Sequence, residues 1–197
     1  MMTTKQVWRS LLPPGEDAWQ RGQASLVVVA CLGVAAAAWG LVLAWLVSGD
    51  LEWETAVASL VFTLILVGLL AVNRRRPSLA LWLLVSLLLL LITLDVSSYG
   101  LGEPSAAAFF LPLALAACGL GLRAGLVTAG VSTAVVWLTA VGAALNWYMP
   151  ETAYQESHLT FTAPFFTVLF WVVALMIGYW VQFLRTLGNS KREPFRM

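Results

Sequence analysis

The sequence predicts an all-α integral membrane protein: a bundle of six transmembrane helices with both termini in the cytoplasm. Of its 197 residues, 60% are hydrophobic and only 11% are charged, and the mean hydropathy is +0.86. A soluble domain carries roughly a quarter charged residues, so the composition excludes an ordinary soluble enzyme. The placement of lysine and arginine, described below, predicts the topology.

Six apolar runs are separated by polar turns and loops. A membrane-spanning helix needs roughly 20 apolar residues, and the runs cover residues 24–47, 53–72, 79–96, 106–121, 125–147 and 165–183. The fourth run is the shortest and contains Pro112, which removes a helical hydrogen bond and so predicts a kink. The sequence Leu-Gly-Asn-Ser at 187–190 is typical of a helix end.

These boundaries predict three parts of the chain. Residues 1–23 form a cytoplasmic or interfacial segment, residues 24–186 form the transmembrane domain, and residues 187–197 form a short basic cytoplasmic tail. Cys31 and Cys118 both lie inside apolar runs, so we expect small buried side chains rather than a disulfide.

Three consecutive arginines determine the predicted orientation. Arg74, Arg75 and Arg76 lie between the second and third runs, and such a cluster resists translocation, so it stays in the cytoplasm. Pro77 follows and suits the first turn of a helix. With six crossings, all 11 lysines and arginines, including Arg123, fall on the cytoplasmic side. The opposite loops carry no basic residue but six acidic ones: Asp50, Glu52, Glu54, Glu103, Glu151 and Glu156.

Small residues recur at helical spacing in two of the runs. In the fifth run they are Gly125, Ala129, Ser132, Ala140 and Ala143, with Val136 among them, and in the first run they are Gly33, Ala37, Gly40 and Ala44. Stripes of this kind let membrane helices approach closely. Packing within the chain's own bundle is the simpler interpretation, and contact with another membrane protein is the alternative.

Few residues could do chemistry. Asp95 lies near the end of the third run, where hydration at the helix end is a simpler interpretation than a buried functional carboxylate. His158 and Glu156 could bind a metal, but metal sites usually need three or four ligands, and a solvated loop is the simpler interpretation. We therefore expect no enzyme activity, no metal and no cofactor.

Three segments together carry a resemblance to a known family. They are AWQRGQ at 18–23, NRRRPSLA at 73–80, and FFLPLALAACGLGLRAGLVTAGVSTAVVWL at 109–138. The last combines a proline-kinked helix, a Gly-x-Arg-x-Gly turn and a small-residue helix. Over residues 16–187 the chain resembles the N-terminal membrane sensor region of bacterial histidine kinases and related signalling proteins. It departs from that family because no phosphoacceptor histidine or nucleotide-binding region follows.

The resemblance implies a sensor-like or regulatory protein of the bacterial cytoplasmic (inner) membrane. Without a catalytic module, it would act by helix packing with a partner membrane protein. Two alternatives stay open: an accessory structural subunit of a bioenergetic or photosynthetic membrane complex, and the substrate-binding component of a vitamin-type importer. The expected partners are the lipid bilayer and another membrane protein, and nucleic acid is not among them.

Overall fold

The described part of the chain is helical throughout. The computed structural model describes residues 18–49, 53–101, 105–147 and 158–190, with only the backbone given for 18, 105 and 187–190. These residues contain no strand. The helices are α1 (Ala18–Ser48), α2 (Trp53–Asn73), α3 (Pro77–Tyr99), α4 (Ser105–Ala108), α5 (Phe110–Gly119), α6 (Leu122–Ala144) and α7 (Ala163–Ser190), with a π-helical turn, His158–Thr162, directly before α7.

Five of the described helical stretches are long and apolar enough to cross a membrane. They are Trp19–Ser48, Trp53–Asn73, Pro77–Tyr99, Leu122–Ala144 and His158–Thr186. The remaining predicted span, the fourth in chain order, corresponds to the shorter apolar stretch Ala106–Gly119. At about 1.5 Å per residue its 14 residues reach roughly 21 Å, which is less than the ~30 Å hydrocarbon core. The predicted membrane-helix class is confirmed, while the count of six crossings and the orientation of the termini stay predictions.

The fourth predicted span is interrupted in the turn before Pro112. The break lies at Phe109, between α4 and α5, three residues before the proline. A proline lacks the N–H that would bond to the carbonyl four residues earlier, here that of Ala108, so the break falls in the turn that this proline affects. Pro112 itself lies in the first turn of α5, where helix N–H groups have no intrahelical partner.

Helix α7 is described as far as Ser190, the last residue of the predicted helix end at 187–190. The final long helical stretch begins earlier than predicted, at His158. The predicted 1–23 segment lies outside the described residues except for its last six positions, and the tail is described only as far as the backbone of Ser190.

The chain divides into two compact units, residues 1–84 and 85–197, and the division falls within α3. In the first unit α1 packs antiparallel to α2, because the start of α1 contacts the end of α2. Burial is concentrated near the arginine turn: Ala24, Val27, Val28, Cys31, Leu66, Leu69, Ala80, Leu81 and Leu84 are all buried. Farther from the turn, Val42 is the one buried residue in 32–48 and in the described part of 50–65.

In the second unit α5, α6 and α7 each pack against the other two. Their shared core includes Val96 from α3 together with Phe109, Ala129, Ala140 and Phe170. The ring of Phe170 lies edge-on to those of Phe109 and Phe110, with ring centres 5.9 Å and 5.2 Å apart. Small side chains on α6 thus lie opposite aromatic ones on its neighbours, which fills the space between the helices.

Candidate functional site: the small-residue helix faces

The small-residue stripe of α6 lies inside the chain's own bundle. Gly125, Ala129, Ser132 and Ala140 are all buried, and Ala140 is only 1% exposed. Ala129 and Ala140 belong to the core that α5 and α7 complete. Their small size serves contact between helices of this chain, so this stripe is not open to a second protein.

Two glycines set the closest approaches in this unit. A Cβ atom added to Gly125 would lie 2.9 Å from Ala117 Cβ on α5. A Cβ added to Gly178 on α7 would lie 3.0 Å from Leu122 Cα on α6 and would collide with the Leu122 side chain. The three helices can pack at these distances only because both positions lack a side chain.

The small-residue stripe of α1 has the opposite environment. Gly33, Ala37, Gly40 and Ala44 are all exposed. A Cβ added to Gly33 or Gly40 would meet no atom within 4 Å. The spacing of four, three and four residues places all of them on one face of the helix. This face, which we call the α1 small-residue face, lies open over the half of α1 where little is buried.

Each unit also contains a tryptophan–threonine hydrogen bond between consecutive long helices. Trp39 Nε1 donates to Thr63 Oγ1 at 3.0 Å, and Trp137 Nε1 donates to Thr167 Oγ1 at 2.9 Å. Both threonine hydroxyls donate in turn to the carbonyl four residues earlier. The bonds satisfy indole N–H groups that would otherwise lie unpaired in apolar surroundings.

Sequence reasoning missed these bonds, although one signal for the first pair was present. Trp39 lies nine residues before the end of α1 at Ser48, and Thr63 lies ten residues after the start of α2 at Trp53. Similar distances from the facing ends of two consecutive antiparallel helices bring residues to the same depth, which would have indicated a pair. The sequence by itself assigns neither tryptophan a polar partner.

The arginine turn is fixed by backbone and side-chain contacts. Arg75 and Arg76 both donate their backbone N–H groups to Val72 O, at 3.0 Å and 2.9 Å. The buried Asn73 donates from Nδ2 to Ala24 O at 3.1 Å, and its Oδ1 has no hydrogen-bond partner among the described residues. Arg74, Arg75 and Arg76 are all exposed. The three charges are therefore presented on a turn that is held against the start of α1.

The predicted Gly-x-Arg-x-Gly turn joins α5 to α6. Gly121 has a φ of +102°, in the region that favours glycine, and it immediately precedes the first residue of α6. Arg123 is exposed, and it lines a cavity of about 390 Å³ together with Gln182 and Arg185 of α7. A Cβ at Gly121 would lie 3.6 Å from both terminal nitrogens of Arg185.

The polar candidates are not brought together. Asp95 is exposed one turn before the end of α3. His158 is buried, 8% exposed, at the start of the π-helical turn, so its interpretation as a solvated loop residue is wrong. Glu156 lies outside the described residues. Across the described ranges, no group of three or more His, Cys, Asp or Glu residues could hold a metal ion.

Taken together, the long apolar helices and the helix-to-helix packing define a multi-pass helical membrane protein. Comparison with protein-family models, with curated proteins and with solved structures finds no match for this chain. The assignment of a function therefore depends on the residues themselves.

Proposed function

We propose that this chain is a non-catalytic, sensor-like or regulatory protein of the bacterial cytoplasmic membrane, and that it acts by packing the α1 small-residue face against a helix of a partner membrane protein. The observation that carries the proposal is the exposure of Gly33, Ala37, Gly40 and Ala44. The comparable stripe on α6 is occupied by the chain's own helices, whereas the α1 face has no occupant among the described residues.

The physical argument concerns how helices associate in lipid. Lipid tails are as apolar as leucine, so a large apolar side chain gains little by leaving them for another helix. Close approach of two helix backbones does stabilise their association, because it adds van der Waals contacts over a long surface. Small residues permit this approach. The open face of α1 has the residues that such an approach needs, and the rest of the first unit leaves it uncovered.

In this proposal the protein crosses the membrane six times, with both termini in the cytoplasm. Any catalytic step would be carried out by another protein. The resemblance to kinase sensor regions supports a regulatory role. A structural role in a larger complex would use the same face but would give a fixed stoichiometry in the purified assembly.

The test is a matched pair of glycine-to-leucine variants. Gly40→Leu places a large side chain on the α1 small-residue face, and Gly68→Leu makes the same change on an exposed part of α2. Neither added Cβ meets an atom within 4 Å, so both variants should fold. Pull-down from native membranes in mild detergent should show partner recovery reduced by about tenfold or more for Gly40→Leu, which corresponds to a loss of about 1.4 kcal/mol.

The Gly68→Leu variant should recover the partner as wild type does. Thermal unfolding in the same detergent checks that both variants remain folded. Equal recovery by both variants, or no specific partner for the wild-type chain, would refute the proposal.

A further inference from the structure

A basic pocket lies beside the arginine turn, apart from the α1 small-residue face. Its volume is about 430 Å³, and the residues lining it include Gln20, Arg75, Arg76, Ser78, Leu79 and Trp82. All of them belong to the first unit, and the described lining contains no aspartate or glutamate. Two arginines therefore line one pocket, and no acidic side chain is among the described residues that line it.

The chemistry of the lining has a polar and an apolar part. The guanidinium groups of Arg75 and Arg76 offer planar arrays of N–H donors that match phosphate oxygens. Gln20, Ser78 and Trp82 add further N–H or O–H donors. Leu79 and Trp82 are each 43% exposed, so apolar surface lies next to the charged part.

We propose that this pocket binds the phosphate headgroup of an anionic phospholipid, with the acyl chains passing over Leu79 and Trp82. Basic pockets between membrane helices at the cytoplasmic surface are suited to such headgroups. A free phosphate ion would use the guanidinium groups alone and would leave the adjoining apolar surface uncovered. An amphiphilic ligand satisfies both parts, which is why we assign a lipid rather than a soluble anion.

The pocket is held in shape by contacts that do not involve a ligand. The hydrogen bond from Asn73 to Ala24 joins the arginine turn to the start of α1, which also supplies Gln20. Pro77 begins α3, and the bond from Ala80 N to Arg76 O closes its first turn. The positions from which Arg75 and Arg76 project are therefore fixed before a lipid arrives, which lowers the ordering cost of binding.

The same turn supplies a matched control. Arg74 is exposed in the turn, and Arg21 is exposed on α1 next to Gln20, yet neither lines the pocket. The double variant Arg75→Gln/Arg76→Gln removes two charges from the pocket. Arg21→Gln/Arg74→Gln removes two charges from the same region outside it. A third variant, Arg75→Lys/Arg76→Lys, keeps both pocket charges.

The experiment is native mass spectrometry of the full chain, delipidated in detergent and titrated with one lipid at a time. Dioleoylphosphatidylglycerol and dioleoylphosphatidylcholine share acyl chains but differ in net charge. We expect the first phosphatidylglycerol to bind about tenfold or more tightly than phosphatidylcholine. That preference should fall by about tenfold in Arg75→Gln/Arg76→Gln, since each basic residue adds favourable interaction with anionic lipid. It should change by less than about threefold in Arg21→Gln/Arg74→Gln. The lysine variant should lose less of the preference than Arg75→Gln/Arg76→Gln, because it keeps both charges but not the planar guanidinium donors.

Three results would overturn the proposal. Equal binding of the two lipids by wild type would mean that the headgroup charge is not recognised. Equal losses in the two glutamine double variants would mean that only the overall charge of the region matters. Soluble glycerol phosphate that displaced the lipid at a similar concentration would identify the ligand as a free phosphate ester. Thermal unfolding of every variant in the same detergent confirms that the lipid-binding values describe folded protein.

Discussion

Gly121 shows how one residue can determine the geometry of a helix pair. Its φ of +102° reverses the chain between α5 and α6, so that the two helices pack side by side. A residue with a Cβ rarely adopts this conformation. The space around the position is adequate, because the nearest atoms to an added Cβ are guanidinium nitrogens of Arg185 at 3.6 Å. Backbone conformation, rather than crowding, is therefore what requires glycine here.

We predict that Gly121→Ala destabilises the protein by about 1–2 kcal/mol, because the backbone must be held in a strained conformation. Gly130 provides the control, since it lies within α6 and an added Cβ meets nothing within 4 Å. Gly130→Ala should be neutral or stabilising by roughly 0.5–1 kcal/mol, because alanine favours helix. Thermal unfolding in a single detergent measures both. If Gly130→Ala were the less stable variant, the turn at Gly121 would have to accept a Cβ without loss of stability.

Asn73 illustrates a residue-scale feature that the sequence does not indicate. The Asn-Arg-Arg-Arg-Pro segment predicts an exposed polar turn, and the three arginines are exposed as expected. The asparagine at its start is instead fully buried and bonded to Ala24, 49 residues earlier in the chain. A contact of that sequence separation depends on how α1 packs on α2, and local composition carries no information about it.

At the scale of whole helices, α1 and α6 each carry a stripe of small residues at helical spacing, but the two stripes have opposite environments. The stripe on α6 is buried, and the stripe on α1 is exposed. A soluble helix would reveal its buried side through its polar residues. These helices are apolar on every side. The sequence therefore predicts approximately where a helix begins and ends, as it does for α2 and α3. It does not predict which face of a helix other helices cover, and so it does not show which helix packs against each small-residue stripe.

This difference predicts different effects of leucine on the two helices. Ala140→Leu inserts a large side chain into the core formed with α5 and α7, and overpacking should destabilise the fold by about 1–3 kcal/mol. Gly40→Leu faces open space and should change stability by no more than about 0.5 kcal/mol. Chemical unfolding of the detergent-solubilised variants distinguishes the two. A stable Ala140→Leu protein would mean that the α6 stripe is not closed by its own bundle.

At the scale of the whole molecule, the number of membrane crossings determines the orientation of every residue after α5. The segregation of lysine and arginine predicts six, yet the apolar stretch Ala106–Gly119 is shorter than the other five. If this stretch enters and leaves on one side, only five helices cross, and everything after it has the opposite orientation. Arg123, Arg185 and the basic tail would then lie outside, against the usual preference of basic residues for the cytoplasm. The charge distribution therefore favours six crossings, with a short fourth helix accommodated by local thinning of the bilayer.

Two cysteine positions decide between the alternatives. In a background of Cys31→Ala and Cys118→Ala, a single cysteine replaces either Ala153, between α6 and the final helical stretch, or Ser190, at the end of α7. With six crossings, an impermeant thiol reagent applied to intact cells should label the cysteine at 153 and leave the one at 190 unlabelled. Labelling of both after the membrane is permeabilised shows that each thiol is accessible. With five crossings the pattern reverses, because each position after α5 changes sides. Labelling at 190 and not at 153 in intact cells would thus establish that Ala106–Gly119 returns to the side from which it entered. The arginines of the second unit would then lie outside the cell.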